Sequence, residues 1–256
     1  MELILSIKTL ITNIFLGLIP SSKKRKELRK KLNSIHNIKK INFLESRKNI
    51  INNNSIIVIN RNNKKFYNCK IRGLNINFVG KNSCVTIHEP FSFNSCSFKI
   101  GNNSNIEIMP SQHEIANLYI TATNESEIFI GENFSCRGCC IENHDEKNLK
   151  VNIGNDCMFS YGIRLRVSDG HSIYYLNTKQ TINNPQRGII IGNHVWIGLN
   201  STILKDTNIA DNSIIGAHSL VNKSFYDRNV IIAGNPAKII KREVNWCREN
   251  TNNFNL

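Results

Sequence analysis

From Ile191 onward an aliphatic residue returns every six positions: Ile191, Ile197, Ile203, Ile209, Ile215 and Val221. The fifth place of these hexads is mostly small, with Val195, Ser201, Thr207, Ser213 and Ser219. Strand side chains alternate between two faces, so the fifth residue of one hexad and the first of the next point the same way, and the residue between them points opposite. Each unit therefore predicts one short strand that sends a small and an aliphatic side chain into a narrow interior. Gly, Asn or Asp in the remaining places make the turn. A single unit cannot bury its inner face, so the core closes only when copies stack.

Weaker copies run back up the chain: VGKNSC from Val79, IGNNSN from Ile100, IGENFS from Ile130 and IGNDCM from Ile153, the last continuing in phase through Phe159 and Leu165. Their uneven spacing predicts insertions or degenerate turns in the earlier coils. The expected body is an all-β solenoid over residues 51–242, followed by a C-terminal tail over 243–256.

Between Leu165 and Ile191 no hexad fits. This stretch is polar, with Asp169, Gly170, Asn177, Asn183, Asn184, Pro185 and Gly188, and it predicts a loop over 166–190 projecting from the coil. Long loops in a regular solenoid are usually functional, the other reading being a tolerated insertion. His171 is its candidate chemical group, because histidine titrates near neutrality and can take a proton from a hydroxyl. His36, His88, His113, His144, His194 and His218 compete with it; His194 and His218 hold the fourth place of their hexads, where a turn residue is expected. Trp196 lies between inward Val195 and Ile197 and so faces out. An exposed Trp there implies a subunit interface, a ligand wall, or both where a ligand lies between subunits.

Charge changes the picture less than its size suggests. Residues 1–50 hold twelve Lys/Arg against three Glu, a net +9 of the chain's +14, which leaves +5 for the other 206 residues. The excess belongs to an N-terminal appendage, which argues against nucleic acid as the partner of the body. In MELILSIKTLITNIFLGLIP, Leu3, Ile7, Leu10, Ile14 and Leu18 recur at helical spacing, and KKRKELRKK follows. Residues 1–50 thus predict a basic helical segment. Residues 1–31 either lie on an anionic membrane surface or pack on the body or a neighbouring subunit, since Lys8 and Asn13 interrupt the apolar run. The start lacks a basic n-region and a small-residue cleavage site, so the expectation is a reduced, cytosolic chain with peripheral contact at the inner membrane as one option. The eight cysteines are then free thiols. CRGCC, residues 136–140, with His144 could suggest zinc. Cys136 and Cys140 fall on the first and fifth places of a hexad, and Cys157 on a fifth place, so interior packing is the better reading and no metal is expected.

The hexads resemble those of the hexapeptide-repeat acyltransferases, whose fold is a left-handed parallel β-helix. The run SDGHSI, INNP, IIIGNHVWIGLNSTILKDTNIADNSIIGAHSLVNKSF and VIIAGNPAKIIKR resembles more narrowly the O-acetyltransferases of bacterial capsular and lipopolysaccharide clusters, including those acting on sialic acid polymers. The resemblance is strong over about residues 150–242. It implies transfer of acetyl from acetyl-CoA, as co-substrate, to a glycan hydroxyl in a homotrimer whose sites lie between subunits. His171 is then the general base, and Trp196 lines the thioester site. Asp169 either fixes the imidazole tautomer or makes the turn. The oxyanion donor is the Trp196 indole or a backbone N–H near Gly198. The same resemblance assigns CoA binding to Trp196, Gly198, Gly216, Ala217, Ala233, Gly234, Lys238 and Lys241, with Arg242 nearby. Asp206 stands where that family often has glycine.

Three rivals remain at this level: an acetyltransferase of a small acceptor such as a nucleotide-linked amino sugar or an amino acid, a zinc enzyme of the β-helix carbonic anhydrase type, and a non-catalytic scaffold. The zinc reading needs two histidines five residues apart, and His171, His194 and His218 are more than twenty apart. A scaffold leaves His171, Trp196 and AGNPAK unexplained together. A positive chain suits an acidic acceptor, although most of that charge lies outside the predicted catalytic body.

Overall fold

The computed structural model describes residues 54–143 and 146–254; the helix expected over 1–50, its membrane contact and His144 lie outside the described residues. The described residues form 23 strands and no helix. Successive strands go in rotation to three sheets of eight, eight and seven strands. All neighbours in a sheet run parallel except at two hairpins. Ile56–Arg61 pairs antiparallel with Lys64–Tyr67 at one end, and Val230–Gly234 with Ala237–Arg242 at the other. These hairpins occupy the outermost strand of two sheets, where a bare parallel edge would invite pairing with another chain.

The interior follows the hexad rule. The first-place residues Ile191, Ile197, Ile203, Ile209, Ile215 and Val221 are at most 1% exposed, and fifth-place Val195, Ser201, Thr207, Ser213 and Ser219 at most 2%. The buried hydroxyls find main-chain partners: Ser201 Oγ and Ser219 Oγ both donate to the Gly216 carbonyl, at 2.9 and 2.7 Å. This allows small polar residues to fill a narrow core without an unpaired group.

The fourth place explains the asparagines. His194, Asn200, Asp206, Asn212 and His218 have φ between 54° and 59°, and Asn and Asp are the side chains that best tolerate this left-handed turn. The glycine in the second place has a different cause. A Cβ on Gly101 would lie 1.6 Å from the Thr123 carbonyl oxygen of the next coil, so coils stack there only if that side chain is missing.

Three expectations need correction. Val79 is 53% exposed, and Phe78 takes the place in register with Ile100. The core thiols of CRGCC are Cys136 and Cys139, at 1% and 2% exposure, while Cys140 is half-buried on the outer face. The reason is a shorter turn: two residues separate the inward pairs Phe93 and Cys96, Ile115 and Leu118, and Cys136 and Cys139, against three between Phe159 and Ile163 or between Ile197 and Ser201. The loop is also shorter than 166–190, because Val167 is buried and Ile189–Ile191 already forms a strand on Lys150–Ile153.

Candidate functional site

The strand Ile163–Arg166 ends in the segment that carries His171. Residues 168–188 are organised as a finger. Tyr174 bridges Thr181 antiparallel, and the Tyr175 and Ile182 N–H groups donate to the Gln180 and Ile173 carbonyls at 3.0 and 2.8 Å. The finger leaves Ile173, Tyr175, Leu176 and Ile182 more than half exposed, Leu176 at 83%. So much apolar surface on one projection is the mark of a contact surface. Gly188 closes it with φ 78°, where a Cβ would meet the Lys150 carbonyl oxygen at 2.0 Å.

His171 is exposed near the root of this finger. Asp169, two residues before it, accepts a hydrogen bond from Asn183 Nδ2 at 2.8 Å and pairs with Lys205. The Lys205 ammonium above all, with the Asn183 amide, holds the Asp169 carboxyl below the usual carboxylate range against its partial burial. A depressed value means that the pair supports the finger at neutral pH and is lost only as the pH falls through that low value. Within one chain the Asp169 carboxylate is thus engaged by Lys205 and Asn183.

Trp196 stands on Trp196–Ile197 with its ring outward and 37% exposed. Beside it the structure stacks three of the residues to which the family resemblance assigns CoA binding. The Gly198 N–H donates to the Ile215 carbonyl at 2.8 Å, and the Gly216 N–H to the Ile232 carbonyl at 2.9 Å, which places Gly198, Gly216 and Ala233 above one another. A Cβ on Gly216 would lie 2.7 Å from the Ala233 Cβ, so the column is low as well as continuous. Ala217 and Gly234 are exposed along it, and Lys238 and Lys241 are exposed on the closing hairpin, opposite Ala233 and Ile231. The arrangement is a shallow track from Trp196 to a basic end. The Gly198 N–H itself is committed to Ile215, so a main-chain oxyanion donor here would have to be another N–H near Gly198.

The structure does not bring His171 and Trp196 together on one sheet of one chain. The finger stands at the corner between the seven-stranded sheet of Ile163–Arg166 and the eight-stranded sheet of Ile189–Ile191, and Trp196 lies on the third sheet. A whole strand of the coil, Ile189–Ile191, lies between them in the chain.

One element was missed. The tail beyond residue 242 folds back onto the coil: Trp246 is buried, its ring stacks on His194 at 4.3 Å and 9°, and it lies 6.1 Å from the Trp196 ring. His194 is therefore more than a turn residue, with Nδ1 2.7 Å from Asp156 Oδ2, Nε2 2.9 Å from the Trp246 carbonyl oxygen, and its own carbonyl accepting from the Trp246 indole at 2.9 Å. Arg248 donates to Asp156 at 3.0 Å, to Ser135 Oγ at 2.7 Å and to the Asn133 and Cys157 carbonyls at 3.1 Å. Burial works against the charge of Asp156, but hydrogen bonds from His194 and Arg248 outweigh it and keep its carboxyl below the usual range. The signal in the sequence was a large aromatic in an otherwise polar tail, NWCREN. Arg248→Ala should cost about 1.5–3 kcal/mol, the range for hydrogen bonds involving a charged group. Thermal unfolding and proteolysis within residues 243–254 measure this, and an unchanged cleavage rate would show that the tail is held by Trp246 alone.

The cysteines pack as thiols. All eight are free. Burial pushes Cys136 and Cys157 up to about 12 and Cys140 to about 11, so they stay protonated at neutral pH and are poor nucleophiles and poor metal ligands.

A parallel coil of hexads with an outward Trp and a projecting histidine finger defines a transferase of the hexapeptide-repeat class. The model of the bacterial transferase hexapeptide family (six repeats) matches residues 188–223. The chain is 34% identical to the polysialic acid O-acetyltransferase of Neisseria meningitidis over 201 residues, 77% of either chain. It is 37% identical to that of Escherichia coli O1:K1 over 129 residues, which span 50% of this chain and 41% of that relative. Among solved structures it resembles the polySia-specific acetyltransferase NeuO, with TM-score 0.64 and 29% identity over 78% of this chain and 87% of that one. It also resembles the polysialic acid O-acetyltransferase OatWY, with TM-score 0.58 and 30% identity over 78% and 91%. The chain belongs to the hexapeptide-repeat O-acetyltransferases, an acetyltransferase built on the left-handed parallel β-helix.

Proposed function

We propose that this chain transfers acetyl from acetyl-CoA to a hydroxyl of a bacterial surface glycan, polysialic acid or a related capsular or lipopolysaccharide chain, in a site shared by two subunits of a homotrimer. The likeness to polysialic acid O-acetyltransferases over most of the chain carries this reading. The separation of His171 and Trp196 on different sheets supports a shared site, and the apolar finger gives a neighbouring copy something to bury. A closed trimer repeats one such heterologous contact three times.

In the reaction His171 takes the proton of the sugar hydroxyl as its oxygen attacks the thioester carbonyl. The carbon–oxygen bond forms, the carbon–sulfur bond breaks, and the proton passes from His171 to the leaving thiolate, so no covalent enzyme intermediate is needed. The oxyanion donor is the Trp196 indole or a backbone N–H near Gly198 other than that of Gly198 itself, which is committed to Ile215. Asp169 acts through the finger that carries His171. The low Gly198, Gly216 and Ala233 column receives the pantetheine arm, bordered by Ala217 and Gly234, and Lys238 and Lys241 meet the charged nucleotide end. No helix among the described residues is long and apolar enough to cross a membrane, and the supply of acetyl-CoA suits a cytoplasmic site.

The test is transfer from labelled acetyl-CoA to polysialic acid, neutral capsular glycans, amino sugars and amino acids, run on the wild type and on two variants. His171→Ala and Trp196→Ala should each be inactive alone. Unfolding and refolding them together in equal amounts should restore about a quarter of wild-type activity, because random pairing gives that share of sites both residues. No recovery, with trimers formed, would place both residues in one subunit's site.

A further inference from the structure

The general base sits on a finger whose only covalent ties to the coil are its two ends, yet base catalysis needs the reacting nitrogen held to a fraction of an ångström. The structure shows what holds it. The Asn183 side chain, on the returning limb, reaches across to the outgoing limb on both sides of His171. Its Nδ2 donates to Asp169 Oδ2 and to the His171 carbonyl, both at 2.8 Å, and its Oδ1 accepts the Ile173 N–H at 2.8 Å. Two acceptors and one donor fix the orientation of the amide, and every hydrogen of its NH₂ has a partner.

The coil that follows the finger supplies the rest. Lys205 pairs with Asp169 and donates to the Asn183 carbonyl at 2.9 Å. Its neighbour Asp206 accepts the Gln186 and Arg187 N–H groups through Oδ1 at 2.8 and 2.6 Å. Adjacent residues of one turn thus grip the outgoing and the returning limb. Asp206 has φ 59°, a conformation in which glycine would serve the backbone at least as well, so its carboxylate has a purpose beyond the turn.

We propose that Asn183, Lys205 and Asp206 are positioning residues that clamp the finger and fix His171 for proton transfer. This rests on the reading of His171 as the base. The contacts these three side chains make here are with the finger, and each acts through it.

The test uses the full chain with acetyl-CoA and polysialic acid, CoA release as the rate, and hydrogen exchange across residues 168–188. Asn183→Ala, Lys205→Met and Asp206→Gly should each lower kcat roughly 10–100-fold while the KM for acetyl-CoA stays within about twofold. Lys205→Arg should recover most of the loss. In a His171→Ala background the same changes should cost nothing further, since the group they position is gone. Exchange should quicken at the Ile173 amide and its neighbours and stay unchanged in the coil strands, and Asp206→Gly keeps the fold testable because its backbone suits glycine. Full kcat in all three variants alongside an inactive His171→Ala would overturn the clamp, as would equal losses with and without His171, or unaltered exchange in the finger. A fully active His171→Ala would instead overturn the base assignment, and the exchange data would then still decide whether these side chains hold the finger.

Discussion

Replacing His171 by alanine is expected to lower kcat for acetyl transfer by roughly 10²–10⁴-fold, the usual contribution of a positioned general base. The KM for acetyl-CoA should change little, because the track beside Trp196 is built from other strands and the imidazole makes no part of it. The fold should not change either, since His171 is exposed and the hydrogen bond that Asn183 donates to its carbonyl is accepted by the main chain and survives the substitution. Steady-state kinetics with a thermal unfolding curve separate these quantities. A parallel rise in KM would mean that His171 also binds the donor, and retention of more than a tenth of the activity would remove it as the base.

Phe159→Ala should produce the largest loss of stability. Phe159 is 1% exposed, and its ring meets that of Phe134 edge-on at 5.0 Å and 82°. Its strand pairs with Ser135–Cys136 on one side and Trp196–Ile197 on the other, with Cys136, Phe159 and Ile197 in one register. Alanine would leave a void that stacked coils cannot close, because each is held at its spacing by main-chain hydrogen bonds. The expected cost is about 3–5 kcal/mol, a large share of the ~5–15 kcal/mol that stabilises a typical domain. In a solenoid such a lesion acts first on its nearest neighbours, so the Trp196 strand should loosen with it. A lower denaturant midpoint at unchanged m-value, with lower activity at temperatures where the protein is still folded, is the result to look for. A cost under about 1 kcal/mol would show that the coils collapse onto the gap.

Much of the fold was legible because a hexad is a local rule. Period-two alternation and a left-handed turn residue act within six positions, so Ile191 to Val221 read correctly without knowledge of their neighbours. The earlier coils read less well. A turn one residue shorter at Arg137 and Gly138 shifted the interior thiol from Cys140 to Cys139, and Val79 gave its inner place to Phe78. Nothing local to these residues marks the shift, since it is set by the register of the coil stacked on them.

The site divides in the same way. His171 stood out in a break of the period and Trp196 as an outward aromatic on a coil strand, and the residues proposed to bind CoA were marked by the family resemblance. Asn183 and Lys205 looked like ordinary loop and turn residues, Asp206 was marked only as a departure from a frequent glycine, and Trp246 and Arg248 looked like a polar tail. Their roles come from contacts across 10 to 115 positions of sequence. By itself the sequence determined that the chain coils, where it departs from the coil and which residue types it carries there, because those follow from side-chain alternation and turn chemistry. Only the tertiary structure decided which of those residues meet, because stacking brings together the same corner of successive coils, whatever their distance along the chain.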